Sequence, residues 1–176
     1  YAPELLTPKE LKILTRKSAV ARLWLMTGKK VYKAITRGIF NFTDREGGGR
    51  RLVNDAPLLR ETMLQEHDVR DVAIVAFADR RTGVGLYAFA ETNRNDIEDR
   101  LKAVLAGADG PKPPEHLQAV TALPRDASGK VRTEILQLVA MNQVDLIPPL
   151  LTSDADRALM RDILDARKNL RDRFSF

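Results

Sequence analysis

Val72-Ala73-Ile74-Val75-Ala76-Phe77-Ala78, the turn Asp79-Arg80-Arg81-Thr82-Gly83-Val84, and Gly85-Leu86-Tyr87-Ala88-Phe89-Ala90-Glu91 set the frame of this 176-residue chain. Each apolar run has the length of a strand and is bounded by polar residues. The short glycine-bearing turn between them makes an antiparallel hairpin the simplest connection. Working outward, Asp55 is placed to cap a helix from about Ala56 to Glu66, with Leu59 and Met63 on its apolar side. On the other side, Asn95-Asp96-Ile97-Glu98 has the spacing of a capping box and opens a helix through Leu105. Lys112-Pro113-Pro114 breaks the chain, and His116 to Ala122 reads as a third strand. A loop from Pro124 to Gly129 precedes a helix from about Thr133 to Asn142. The order helix, strand, strand, helix, strand, loop, helix predicts an α+β fold, a small three-stranded sheet covered by helices.

Both ends read as additions to that unit. Thr7-Pro8-Lys9-Glu10 starts a helix that runs to about Met26, and Gly28 stops it. Lys30 to Thr36 and Ile39 to Thr43 form a second predicted hairpin. Glu46-Gly47-Gly48-Gly49-Arg50 is a flexible connection, because three glycines hold no single backbone state. After Pro148-Pro149, Ser153 caps a last amphipathic helix with Leu159, Ile163 and Leu170 along it. The expected organisation is a basic helical arm and hairpin over residues 1–46, a compact domain over 47–142 and a helical extension over 143–176.

Nine of the 29 Lys and Arg fall in residues 1–37, but only two of the 24 Asp and Glu do. The net charge of +5 therefore belongs to the N-terminal arm. Such an arm suits a phosphorylated ligand, an acidic protein face or nucleic acid, and as a plain structural feature it is a solvated helix face. Aromatic residues make up 6% and form no stacking platform, which argues against nucleic acid. Cysteine is absent, so a disulfide framework and a thiolate nucleophile are excluded. No apolar run approaches the roughly 20 residues that span a bilayer, and Arg22 interrupts Ala19 to Met26. The opening residues lack the layout of a signal peptide.

The common catalytic constellations are missing. His67 and His116 lie far apart without metal-ligand neighbours, so no metal site is expected. There is no phosphate-binding P-loop and no nucleophile elbow. What remains is Leu123-Pro124-Arg125-Asp126-Ala127-Ser128-Gly129-Lys130-Val131-Arg132. Pro, Ser and Gly make a shaped loop, Gly129 permits a close backbone approach, and one lysine stands at the far end. Beside a phosphate under attack, a lysine ammonium would stabilise charge growing on the phosphoryl oxygens.

Those ten residues closely resemble the C-terminal signature of the adenylate-forming superfamily, which includes acyl-CoA synthetases, peptide-synthetase adenylation domains and luciferases. The likeness extends over about 38–140. Gly49-Arg50-Arg51-Leu52-Val53-Asn54 with Leu58 to His67, Val69 to Val75, Leu86 to Glu91, and Ile97 to Leu105 before Lys112-Pro113-Pro114 all resemble family elements in family order. Gly38 to Arg45 resembles the segment that ends the large domain and opens the hinge.

The resemblance implies a mobile C-terminal lid of an AMP-forming acid–thiol ligase, with Lys130 as the catalytic lysine of carboxylate adenylation. It implies a hinge at Asp44, Arg45 and Gly47, with Arg45 near the nucleotide, and a thiol channel past Gly49 and Arg51. It also implies ATP or AMP with Mg2+, and coenzyme A or a carrier thiol, none of them bound by this chain alone. The partners implied are a large N-terminal adenylation domain and an acyl substrate, in the cytoplasm, with no membrane. Gly47 departs from the family, whose usual hinge residue there is not glycine. The large domain's phosphate loop, rich in Ser, Thr and Gly, is not among these residues. The other reading of the same resemblance is a stand-alone, non-catalytic binding or regulatory subunit derived from that domain.

Overall fold

A computed structural model describes residues 54–79 and 83–170. The expected N-terminal helix, the second hairpin and the hinge fall outside them. The described part is α+β, as expected. Its elements are α1 (Ala56–Leu64), β1 (Asp71–Asp79), β2 (Gly83–Glu91), α2 (Ile97–Gly107), β3 (His116–Val120), α3 (Thr133–Ala140) and α4 (Asp154–Asp165). Two 3-10 turns, Val144–Leu146 and Pro148–Leu150, link α3 to α4.

β1 and β2 pair antiparallel as expected, in register from Asp71 opposite Glu91 to Asp79 opposite Gly83. β2 begins two residues earlier than its apolar run, at Gly83. β3 lies parallel to β2, from His116 beside Tyr87 to Val120 beside Glu91. A parallel neighbour needs a crossover, and α2 supplies it. The strand order is therefore β1-β2-β3, with β2 in the centre.

A central strand has two faces to cover, and side chains on β2 alternate between them. Leu86, Ala88 and Ala90 join Leu59 and Met63 of α1 and Ile97, Leu101 and Leu105 of α2. Tyr87 and Phe89 turn the other way, to Ile135, Leu136 and Val139 of α3 and to Met160 and Ile163 of α4. The aliphatic residues thus face α1 and α2, and the aromatic rings face α3 and α4. The Tyr87 and Phe89 rings stack with centroids 4.5 Å apart.

Three local expectations need correction. Glu98 closes no capping box: the N-cap is Asp96, which makes no side-chain cap bond. Glu98 instead accepts from the Ala119 amide at 3.0 Å and pairs with Lys168 Nζ at 2.9 Å, because β3 and the chain after α4 offer partners across the fold. Asp55 stands at the N-cap of α1 but in helical backbone geometry, so its side chain makes no cap bond either. α3 stops at Ala140 rather than Asn142. Asn142 takes the left-handed conformation at φ 55°, and the Gln143 amide bonds back to Leu138 O at 2.9 Å, as in a Schellman ending. Ser153 does cap α4, accepting from the Asp156 amide at 3.0 Å.

Gly85 is required by close approach. It pairs with Phe77 across the ladder, and a Cβ there would lie 2.6 Å from the Phe77 ring. That ring is buried against Tyr87 and His116 and has little room to retreat. Gly85→Ala is therefore expected to destabilise the domain by about 1–3 kcal/mol. Gly107→Ala, where a Cβ meets nothing within 4 Å, should be neutral or stabilising by up to about 1 kcal/mol. Urea denaturation of the two variants beside the parent chain measures both.

Candidate functional site

The loop between β3 and α3 is a small hairpin. Leu123 is buried in the core on the α3 side and anchors its first arm. Arg125 and Val131 form an antiparallel bridge, and the Arg132 amide bonds to Pro124 O at 2.7 Å. The Asp126 amide bonds to Lys130 O at 2.9 Å, and the Gly129 amide returns to Asp126 O at 3.0 Å. This is a three-residue hairpin loop of the kind that ends in a glycine bulge, which needs a left-handed residue at its last position. Gly129 fills that position at φ +85°.

Within the described residues a Cβ at Gly129 would meet nothing within 4 Å, so here the glycine answers to backbone conformation.

Asp126 stiffens the turn from within. Its Oδ1 accepts from the Ser128 amide at 2.9 Å, the Ser128 hydroxyl at 2.6 Å and the Lys130 amide at 3.0 Å. These bonds, led by the Ser128 hydroxyl, hold the Asp126 carboxyl below the usual carboxylate range, and the Lys130 charge adds to the effect. Lys130 itself is exposed, and its ammonium forms no ion pair with the described residues. The result is an exposed cation on a stiff base.

Beneath the hairpin lies a cluster that the sequence reading did not single out. Arg125 Nη2 is 2.8 Å from Asp71 Oδ2 and 3.5 Å from Glu91 Oε2, and its Nη1 donates to Gly129 O at 3.2 Å. Partial burial alone would raise the Asp71 carboxyl. Bonds from Arg125, the Val72 amide and Arg60 outweigh it and hold Asp71 low. The same pairing, with Asp71 first, pushes the Arg125 guanidinium up.

Asp44, Arg45, Gly47, Gly49 and Arg51 lie outside the described residues, so of the expected site only Lys130 is placed. His67 is exposed, with Nδ1 2.9 Å from Asp68, and the His116 ring packs on Phe77 and Tyr87. Among the described residues no group of three or more His, Asp or Glu side chains could hold a metal ion. Among them, too, no helix is long and apolar enough to cross a membrane.

No protein-family model matches the chain. Among curated proteins, the acetyl-coenzyme A synthetase 2 of Pseudomonas putida is 33% identical over 116 residues, 62% of this chain and 18% of the relative. The acetyl-coenzyme A synthetase of Bdellovibrio bacteriovorus is 26% identical over 117 residues, 63% of this chain and 18% of the relative. The chain thus spans about a fifth of the length of the curated relatives it matches. A fatty acyl-CoA synthetase of Mycobacterium tuberculosis superposes with a TM-score of 0.40 at 21% identity, over 45% of this chain and 16% of that one. An acyl-CoA synthetase of Brucella canis gives 0.41 at 17% identity, over 48% and 17%.

The class these findings define is the AMP-forming acyl-CoA synthetases, of which the chain matches one fragment. The likeness, over about 60% of this chain, is consistent with a C-terminal domain of the adenylate-forming superfamily.

The Asp126 contacts make a prediction about pH. Its carboxyl is depressed in the folded state, so the order it confers is present above the unfolded value and is lost as pH falls through the folded one. The hairpin should hold at neutral pH and loosen only below about pH 4. Asp126→Ala should loosen it at every pH. Amide hydrogen exchange at Ser128 and Lys130 checks both, and the β1 and α3 amides should stay protected throughout.

Proposed function

We propose that this chain acts as the mobile lid of an AMP-forming acyl-activating enzyme and that Lys130 is its catalytic residue for carboxylate adenylation. The observation that carries the reading is an exposed lysine without an ionic partner among the described residues, raised on a glycine-bulge hairpin that Asp126 stiffens, in a chain 33% identical over 116 residues to an acetyl-coenzyme A synthetase.

The chemistry follows from charge. Adenylation displaces pyrophosphate from ATP as the carboxylate attacks, and negative charge grows on the phosphoryl oxygens. A positioned ammonium stabilises that charge more in the transition state than in the ground state. Lys130 would supply it, and Mg2+ would arrive with the nucleotide. The large adenylation domain, in the same or a separate chain, would hold the ATP and the acyl substrate in line, a task one lysine cannot perform. Residues 47–142 would swing about Asp44, Arg45 and Gly47, and residues 143–170 would travel with them, since Met160 and Ile163 lie in the same core. Arg45 would then approach the nucleotide, while Gly49 and Arg51 would border the passage for coenzyme A or a carrier thiol.

The test is ATP–pyrophosphate exchange by this chain, alone and after adding a large adenylation domain. Activity should require both parts. Lys130→Ala should lower the exchange by about 100- to 1,000-fold, with the fold intact by circular dichroism. A complemented parent chain without exchange activity would favour the non-catalytic binding subunit instead.

A further inference from the structure

The bonds inside the Lys130 hairpin fix its shape but not the direction in which it points. Direction is set where the hairpin meets the domain, and there a row of alternating charges crosses the end of the sheet. It starts on α1, where Arg60 Nη2 lies 2.8 Å from Asp71 Oδ1. The other Asp71 oxygen takes Arg125 Nη2 at 2.8 Å. That nitrogen also faces Glu91 Oε2 at 3.5 Å, and Glu91 Oε1 takes Arg70 Nε at 3.3 Å.

The register explains the row. Asp71 opens β1, Glu91 closes β2, and the two stand opposite each other. Like charges directly across a ladder repel, so the pair calls for a cation between them. Arg125 supplies it from the loop. Its free fork nitrogen, Nη1, reaches Gly129 O, one residue before Lys130. The rest of the stem is tied to the same place. Glu91 Oε2 accepts from the Leu123 amide at 2.7 Å, and Arg70 Nη2 donates to Thr121 O at 2.5 Å.

We propose that Arg125 is a positioning residue: it joins the Asp71–Glu91 pair to the Gly129 carbonyl and so fixes the direction of the Lys130 hairpin. Through Asp71 and Arg60 that direction is tied to α1, the first described element after Gly47 to Gly49 in the chain. The role needs arginine. A lysine keeps the charge, but a single ammonium lacks the planar fork that serves two carboxylates and a carbonyl together. The catalytic meaning of this arrangement rests on Lys130 acting as proposed above, whereas the direction of the hairpin is measurable without any activity.

The first measurement is backbone 15N relaxation on the full chain. In the parent, the order parameters of residues 127–130 should match the rigid value of about 0.85 found in regular elements, and in Arg125→Ala they should fall below about 0.6. Glu91→Gln, which keeps shape and removes charge, should loosen the same residues, and Arg125→Lys should fall between. β1, β2 and α3 should stay rigid in all three. An unchanged hairpin in Arg125→Ala, or loosening only together with the strands, overturns the proposal.

The second measurement uses the chain with its large domain. Arg125→Ala should lower kcat for pyrophosphate exchange at least about tenfold with KM for ATP held within about twofold, and Arg125→Lys should recover part of it. A rise in KM at unchanged kcat assigns Arg125 to binding and overturns positioning. If Lys130→Ala leaves the exchange intact, the lid reading fails and the relaxation result alone decides the role of Arg125.

Discussion

Everything described here hangs on β2 being buried on both faces. Leu86 through Ala90 have no exposed surface. A strand in that position must be covered twice, and the sequence arranges this by size and not by polarity. Leu86, Ala88 and Ala90 pack with α1 and α2, while the larger Tyr87 and Phe89 rings pack toward α3 and α4. Burying one such ring stabilises by about 1.5–3 kcal/mol, so the aromatic face is where much of the apolar driving force lies.

Burial of Tyr87 brings a polar obligation with it. Its hydroxyl cannot stay unpaired in the core without cost. It donates to Gln118 Oε1 at 2.5 Å and accepts from the Lys168 amide at 2.9 Å, while Gln118 Nε2 donates to Ile163 O at 2.8 Å. Burial also pushes the Tyr87 hydroxyl up to about 12, so it stays protonated and keeps donating across the ordinary pH range. Met160 and Ile163 complete the same layer. Asn169 closes it further by donating to Ala140 O at 2.7 Å. The chain after α3 thus satisfies the polar atom that the central strand buries, and it is bound to the sheet by that need as well as by apolar contact.

How far this was legible in the sequence differs by element. The two apolar runs and their turn gave the hairpin, because strand length and turn chemistry are local signals. Lys130 was legible as a resemblance, through the spacing of Pro, Ser, Gly and Lys. The reason for Gly129 was not, since only the bonds between Asp126, Gly129 and Lys130 show that a bulge requires its φ. Glu98 was misread because a capping box and a tertiary contact use the same side chain, and tertiary partners won. The Asp71–Glu91–Arg125 cluster carried a signal that the sequence reading left unused. Asp71 and Glu91 stand opposite each other in the ladder, and two facing carboxylates ask for a cation. The apolar tie of residues 143–170 showed in the stripe that includes Ile163, but their polar tie to Tyr87 left no trace, because a hydrogen bond from Gln118 to a backbone carbonyl has no pattern along the chain.

The order of these constraints explains why a flexible side chain can be useful at the end of the hairpin. A lysine has a long stem and many rotamers, and fixing it costs about 1.5–2 kcal/mol in side-chain entropy. If its backbone also wandered, that cost would grow with every additional free residue, and the reach of the ammonium would spread over a volume too large for aligned chemistry. Here the sheet fixes Asp71 and Glu91, the two carboxylates fix Arg125, Arg125 fixes Gly129, and Asp126 fixes Lys130's own amide. Only the stem of Lys130 is left to adjust. A single adjustable charge on a fixed base suits a group that must meet a partner carried by another domain, which is the role proposed for Lys130.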